Sequence, residues 1–243
     1  MKVCLCYIVV TQGVRTAEFA SRFMGTYATA EPGHPHETII VCNGGPPSTE
    51  LGLIFEPLAP KYFPRENDAG WDISGYLAAA HGPAADCDLF VALGESVYFH
   101  RPDWLKRIVD AAQRCGPGMF GFFSSNIVRP HMNTTAFATH PSLLRGYPRP
   151  VTNHAERYYF EHGEHSFWRW VRGQGKPTKL VTFDGDWDPF LWRYPANILY
   201  RGDQSNCLAW SNHTDYWANT TEENRTRWAA NADLQPRQSL RFA

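Results

Sequence analysis

Five stretches of this chain, residues 3–10, 38–42, 88–93, 119–123 and 179–183, are nearly continuous apolar runs too short to be typical helices, with a weaker sixth at 53–58. A strand with one wet face alternates apolar and polar residues; an uninterrupted run must be covered on both faces, as a parallel strand between layers of helices is. Helical spacings fill the intervals. Phe19, Phe23 and Tyr27 recur at every fourth residue, and Tyr76, Leu77 and Ala80 share a face. Trp104, Leu105, Ile108, Val109 and Ala112 form a third stripe, with Pro102 suited to its first turn, and Phe167, Trp170 and Val171 make a fourth. Strands alternating with helices predict one α/β domain with a mostly parallel central sheet flanked by helices. The 243 residues suffice for a sizeable core. Beyond residue 183 the pattern weakens into loops rich in Trp, Asn and Asp and a polar helix near 222–231, which reads as a lid-like C-terminal extension.

Composition removes several classes of partner. A net charge of −1 leaves no basic footprint for nucleic acid or an acidic membrane. No apolar stretch approaches the roughly 20 residues of a transmembrane helix. The six cysteines form no CxxC pair, and Cys4, Cys6 and Cys42 lie inside strand runs, where Cys acts as a small core residue. They read as free thiols of a reducing compartment, which predicts a cytoplasmic protein. "VCLCYIVV" is short for a signal segment and lacks a small-residue cleavage site, so it reads as the first strand.

In an open parallel sheet, ligands bind beyond the carboxyl ends of the strands. Four loops collect there: Thr11-Gln12, Asn43-Gly44-Gly45, "RENDAGWDISGY" at 65–76, and Gly94-Glu95-Ser96. Gly44 and Gly45 allow close backbone approach, and Gly70 and Asp72 precede a helix whose amides can receive an anion. Each loop alone is equally what turns and helix caps require.

Taken in order, "TIIVCNGG", the stretch containing Asn67 and Asp72, and "DLFVALGESVYFHRPDWLKRIVDA" resemble the nucleotide-sugar half of inverting GT-A glycosyltransferases of the family 2-like group. "NDAGWDISGY" is similar to the Asn-x-Gly-x-Asp variant of rhamnosyltransferase-like members. "NTTAFATHPSLLRGYP" resembles the strand and small helix before the catalytic helix, and "YYFEHGEHSFWRWVRGQGK" the helix start that supplies the general base. The resemblance implies a GT-A-like core over 1–183, divided into a nucleotide-sugar half (1–100) and an acceptor half (101–183), with 184–243 as the extension. It implies transfer of a hexosyl or deoxyhexosyl group from a nucleoside diphosphate sugar to a hydroxyl of a glycan or lipid-linked acceptor, with inversion, in polysaccharide or glycan synthesis.

The same resemblance assigns roles. Thr11, Asn43, Asn67 and Asp72 would hold the nucleoside, and Glu95 with Ser96 would face the diphosphate. Glu164 would be the general base, with Glu161 in reserve one helical turn back. Where the family carries Asp-x-Asp for its metal, this chain has Gly94-Glu95-Ser96, so one carboxylate is left. Glu95 could still hold Mg²⁺ or Mn²⁺ weakly with help from phosphates. A metal-free arrangement with His100 or Arg101 at the phosphates is the alternative.

Other motifs carry less. "EHGEH" lacks the His-Glu-x-x-His order of a zinc helix, so His162 and His165 read as surface or acceptor-site residues. "DGDWD" at 184–188 lacks the features of a calcium loop and reads as a polar turn, and His213 reads as exposed. A nucleotidyltransferase would carry a Gly-rich loop after the first strand, and "TQGVRT" is poor in Gly. The rival class is a non-catalytic nucleotide-sugar or glycan-binding relative, favoured by Gly94 and Ser96 and opposed by the acidic residues at 161–164.

Overall fold

The computed structural model describes residues 1–66, 69–125, 130–192 and 199–233. β1 (Val3–Val10) is parallel to β2 (Glu37–Asn43), which is parallel in turn to β3 (Lys61–Arg65). On its other side β1 is parallel to β4 (Leu89–Leu93). Next come β5 (Met119–Gly121), a small ribbon of β6 (Ser124–Ser125) and β7 (His131–Met132), then β8 (Ala136–Thr139), β9 (Thr178–Val181) and β10 (Asp186–Trp187). The eight-stranded sheet has the order β10-β9-β5-β8-β4-β1-β2-β3. β8 lies antiparallel between β4 and β5, whereas β5 and β9 are parallel. The reversal needs no crossover helix, because the chain returns through the β6–β7 ribbon.

The predicted two-sided burial is present. Leu5, Tyr7 and Val9 enter one core with Phe23, Phe55 and Trp104, while Cys4, Cys6 and Ile8 enter the other with Ile73, Tyr76 and Phe137. The first core lies under α1 (Thr16–Thr29) and α2 (Thr49–Phe55); the second lies under α3 (Trp71–His81); α4 (Trp104–Cys115) returns to the first. Helices α5 (Pro141–Gly146), α6 (His154–His162) and α7 (Phe167–Gly173) complete the second layer. Each fully buried Leu, Ile or Phe contributes about 1.5–3 kcal/mol of transfer free energy.

Two local expectations are corrected. Residues 53–58 are not a strand: Ser48 caps α2 by accepting from Leu51 N, Leu51 and Phe55 bury one helical face, and a short 3-10 turn, Glu56–Leu58, follows. The third strand is β3, an edge strand whose Pro64 has no amide to give a further neighbour, and its half-exposed side chains leave no apolar run to detect. Pro102 lies before α4 rather than within it, because Asp103, at φ 65°, makes the turn into Trp104.

The segment after residue 198 is knitted to the sheet. Leu199, Cys207, Leu208 and Ala209 belong to the first core, and Tyr98 and Trp210 exchange backbone hydrogen bonds of 2.9 and 2.8 Å. α8 (Asn212–Asn219) is held by Arg22, whose guanidinium lies 2.6 Å from Asp215, and α9 (Glu222–Asp233) ends the described chain. The six cysteines form no disulfide. Among the described residues no helix is long and apolar enough to cross a membrane.

Candidate functional site

β1 pairs with β2 on one side and β4 on the other, so the connections diverge from it and leave a crevice at the carboxyl ends. A cleft of about 490 Å³ opens there, with Val10, Asn43, Glu95 and Ser96 at strand ends, Trp71 and Asp72 at the start of α3, and Thr135, Arg157, Asn212 and His213 from later segments.

Glu95 turns back into the protein. Its Oε1 accepts from Val10 N at 3.2 Å and lies 2.6 Å from Thr16 Oγ1, and its backbone carbonyl accepts from Tyr7 Oη. The carboxylate thus joins the end of β4 to the end of β1 and to the first turn of α1, where a helix favours negative charge. Gly94 allows close packing: a Cβ there would lie 3.1 Å from the Thr135 carbonyl, so the loop would have to yield by a few tenths of an ångström. Glu95 Oε2 makes no hydrogen bond among the described residues, but Glu95 belongs to no group of three metal-ligating side chains. The residues present do not by themselves make the expected Mg²⁺ or Mn²⁺ site. Ser96 Oγ donates to Asn212 Oδ1 at 3.0 Å, fastening α8 to the cleft rim.

Asn43 is fully buried and both ends of its amide are engaged: Nδ2 donates to the Trp71 carbonyl at 3.0 Å, and Oδ1 accepts from Arg65 at 2.8 Å. Thr11 donates through N and Oγ1 to the Asn43 carbonyl at 2.9 and 3.1 Å and is not among the cleft-lining residues. These residues order the loops around the cleft. Asn67 lies outside the described residues. Trp71, with φ 54°, occupies a left-handed conformation that costs a bulky residue about 1–3 kcal/mol. It is 54% exposed, and its ring lies 5.0 Å from that of His154. Beside it Asp72 receives Arg157 through Nε at 2.8 Å and Nη2 at 3.3 Å, a two-pronged pair facing the cleft.

The two acidic residues expected to supply a base differ. Glu164 is exposed in the turn between α6 and α7 and is not among the cleft-lining residues; α7 begins at Phe167 behind Ser166, not at Glu164. Glu161 is 4% exposed, with Oε1 accepting from Asn133 Nδ2 at 3.0 Å and Oε2 from Thr134 Oγ1 at 2.7 Å. Burial pushes its carboxyl pKa up, but His131, His162 and Thr134 outweigh that and hold it down to about 2. A carboxylate held so strongly ionised is a weak proton acceptor.

His213, expected at the surface, is half-buried and lines the cleft. Its Nδ1 lies 2.6 Å from Tyr200 Oη, and burial pushes its pKa down, favouring the neutral ring. His100 and Arg101 lie away from the cleft: His100 stacks on Trp210 at 4.1 Å, and Arg101 lies over Phe183 at 4.0 Å. The "DGDWD" carboxylates diverge, Asp184 to Thr182 and Asn206, Asp186 to Arg114, and Asp188 to Lys179, and the stretch is not the polar turn expected throughout, because Asp186–Trp187 form β10 beside β9. Trp71 and Arg157 are the site residues sequence reasoning missed, and His213 is one it singled out but read as exposed. Trp71 lies inside a motif that was recognised; Arg157 sits in a segment with no local signal.

No family model matches this chain, and no curated protein matches it. Among solved structures it is similar to TarS from S. aureus, at 13% identity over 66% of this chain and 54% of that one, with a TM-score of 0.49. It is similar to the mannosyltransferase PcManGT from Pyrobaculum calidifontis in complex with GDP-Man and Mn²⁺, at 11% identity, 62% and 48% coverage and a TM-score of 0.43. A third similar structure is CMP:2-keto-3-deoxy-manno-octonic acid synthetase complexed with CTP, at 9% identity, 64% and 82% coverage and a TM-score of 0.44. The chain spans about half the length of the first two. At these identities and TM-scores the likeness adds nothing to the sheet order and cleft described above.

Proposed function

We propose that the chain binds a nucleoside diphosphate sugar in this cleft and transfers the sugar to an acceptor hydroxyl with inversion. The observation that carries the reading is the position of the cleft, at the point where the sheet order reverses, with an exposed Trp71 beside the Asp72–Arg157 pair. An aromatic face suits a sugar or base ring, and a carboxylate–guanidinium pair suits hydroxyl and phosphate oxygens. The loops ordered by Thr11 and Asn43, with Asp72, form the nucleoside side, and Asn67 is assigned to it from the sequence resemblance alone. Glu95 and Ser96 form the wall toward the diphosphate. The donor is a hexose or deoxyhexose, the latter in keeping with the Asn67–Asp72 stretch, and the acceptor is a glycan or a lipid-linked sugar.

Inverting transfer needs a base at the acceptor hydroxyl. Of the acidic residues proposed for it from sequence, Glu164 is exposed outside the cleft lining, and Glu161 is buried outside it with both oxygens engaged by Asn133 and Thr134. His213 meets the requirement better. In the tautomer that donates Nδ1–H to Tyr200 Oη, Nε2 carries the lone pair that takes the acceptor's proton as the new C–O bond forms and the diphosphate leaves. No step is routed through a metal at Glu95.

A second reading, binding without transfer, is favoured by the engagement of Glu95 Oε1 with Val10 and Thr16. Calorimetric titration with UDP-, GDP- and dTDP-sugars, followed by release of nucleoside diphosphate in the presence of sugar acceptors, separates the two. Binding with turnover supports transfer, binding without turnover supports the second reading, and no binding ends both.

A further inference from the structure

Behind the Arg157 wall of the cleft lies a cluster that the proposed transfer does not use. His131 on β7 and Glu161 and His162 at the end of α6 bring three ligand atoms within 4.8 Å of one another. His131 Nε2 is 3.5 Å and His162 Nε2 is 3.8 Å from the same oxygen, Glu161 Oε1. Two ligands each about 2.0–2.1 Å from a tetrahedral Zn²⁺ are about 3.4 Å apart, so these edges are already close to what one ion requires. Neighbours on a helix do not ordinarily face the same point. Here they do because α6 stops at His162: Gly163 leaves in extended backbone, and a Cβ on it would lie 2.6 Å from the Tyr159 carbonyl.

We infer that His131, Glu161 and His162 form a binding site for one divalent transition-metal ion of the Zn²⁺ class. Two imidazoles and a carboxylate favour Zn²⁺, Co²⁺ or Fe²⁺ over the all-oxygen ions Mg²⁺ and Ca²⁺. The ligands are held as metal ligands are held in built sites. Asn133 and Thr134 fix both oxygens of Glu161, and the His131 ring stands edge-on to His162 at 4.2 Å, with Tyr158 against His162 at 4.6 Å. His131 and Glu161 are 3% and 4% exposed. The neighbouring cation, Arg157, is 3.9 Å from Glu161 Oε2 but is committed to Asp72 at the shorter distance of 2.8 Å. Three protein ligands leave a fourth position for water or another oxygen ligand. The site does not depend on the nucleotide-sugar reading, and none of its three ligands is among the cleft-lining residues.

The competing arrangement is a buried ion pair in which a protonated His131 neutralises Glu161 without a metal. The two are separated by adding ZnCl₂ to chelator-stripped protein in competition with a chromophoric chelator, and by recording the visible spectrum after adding CoCl₂. One equivalent of Zn²⁺ should bind, and His131→Gln and His162→Gln should each weaken it by at least about 100-fold, more than second-shell changes do, while Asp188→Asn leaves it unchanged. Co²⁺ should give the intense visible bands of a four- or five-coordinate ion. No binding of Zn²⁺, binding unchanged in a His131→Gln, His162→Gln double variant, or only the weak bands of six-coordinate Co²⁺ would overturn the inference. Should the variants fail to fold, the stoichiometry and Co²⁺ spectrum of the unaltered chain decide it.

Discussion

Glu95 and Glu161 are two carboxylates that sequence reading placed in one reaction, and the fold uses them in opposite ways. Glu95 sits among neutral donors, one backbone amide and one hydroxyl, and works as a tie between β4, β1 and α1. Glu161 sits among titratable groups, two imidazoles and a guanidinium, with an amide and a hydroxyl completing its shell. The same functional group is a strut in one setting and the centre of a polar cluster in the other. Its partners decide which.

The comparison is tested hardest by turnover. If His213 rather than either carboxylate is the base, His213→Ala should lower turnover by about 10²–10⁴ with donor affinity nearly unchanged, while Glu164→Gln leaves both near the starting values. Steady-state kinetics paired with donor titration make the measurement. Lost turnover in Glu164→Gln with full turnover in His213→Ala would return the base to the turn before α7.

Stability comes next. Glu161→Ala strands Asn133, Thr134 and a buried imidazole, and should cost about 3–5 kcal/mol in chemical denaturation. Glu95→Ala removes hydrogen bonds to a part-buried carboxylate and should cost about 1–3 kcal/mol. Equal costs, or the reverse order, would break the distinction drawn between them.

A third imidazole sharpens the contrast because no carboxylate faces it. Burial, with the charge of Arg101 second, pushes the His100 pKa down to about 4. The unfolded chain binds this proton near pH 6.5 and the folded chain only near pH 4. The stability it supports is therefore complete above pH 6.5 and is lost as pH falls from about 6.5 to about 4. His100→Phe, which keeps a ring against Trp210, should flatten the fall in denaturation midpoint across that window. An unchanged slope would show that His100 is not the group responsible.

The smallest effect belongs to the rim. Ser96→Ala removes the hydroxyl that donates to Asn212 Oδ1 at 3.0 Å and accepts from Asn212 N at a long 3.5 Å, and should cost about 0.5–1.5 kcal/mol. A loss several times larger would mean that α8 depends on this contact rather than on Asp215, Trp210 and the apolar segment before it.

Much of the sheet was legible because its signal is local and repeated. Each buried run in β1, β2 and β4 announces two covered faces without reference to any other part of the chain. β3 escaped because an edge strand is half wet, and 53–58 misled because a short buried helix and a short buried strand look alike in apolar content. The loops at the carboxyl edge were also legible, since strand ends and turn residues mark them. The roles within them were not: Asn43 and Asp72 sit at the expected edge, but their side chains are spent on Trp71, Arg65 and Arg157.

By itself the sequence determined that β1, β2 and β4 are buried on both faces and that the chain is an alternating α/β domain, with loops at the carboxyl ends of those strands. Tertiary structure alone decided which polar atoms meet. Glu95 finds Thr16 79 positions away, Asp72 finds Arg157 85 positions away, and Glu161 finds Asn133 across 28. Apolar burial is non-directional and tolerates small shifts, so its pattern can be read one element at a time. A hydrogen bond or a metal ligand needs atoms placed to within a few tenths of an ångström. Only the packing of the whole chain supplies that.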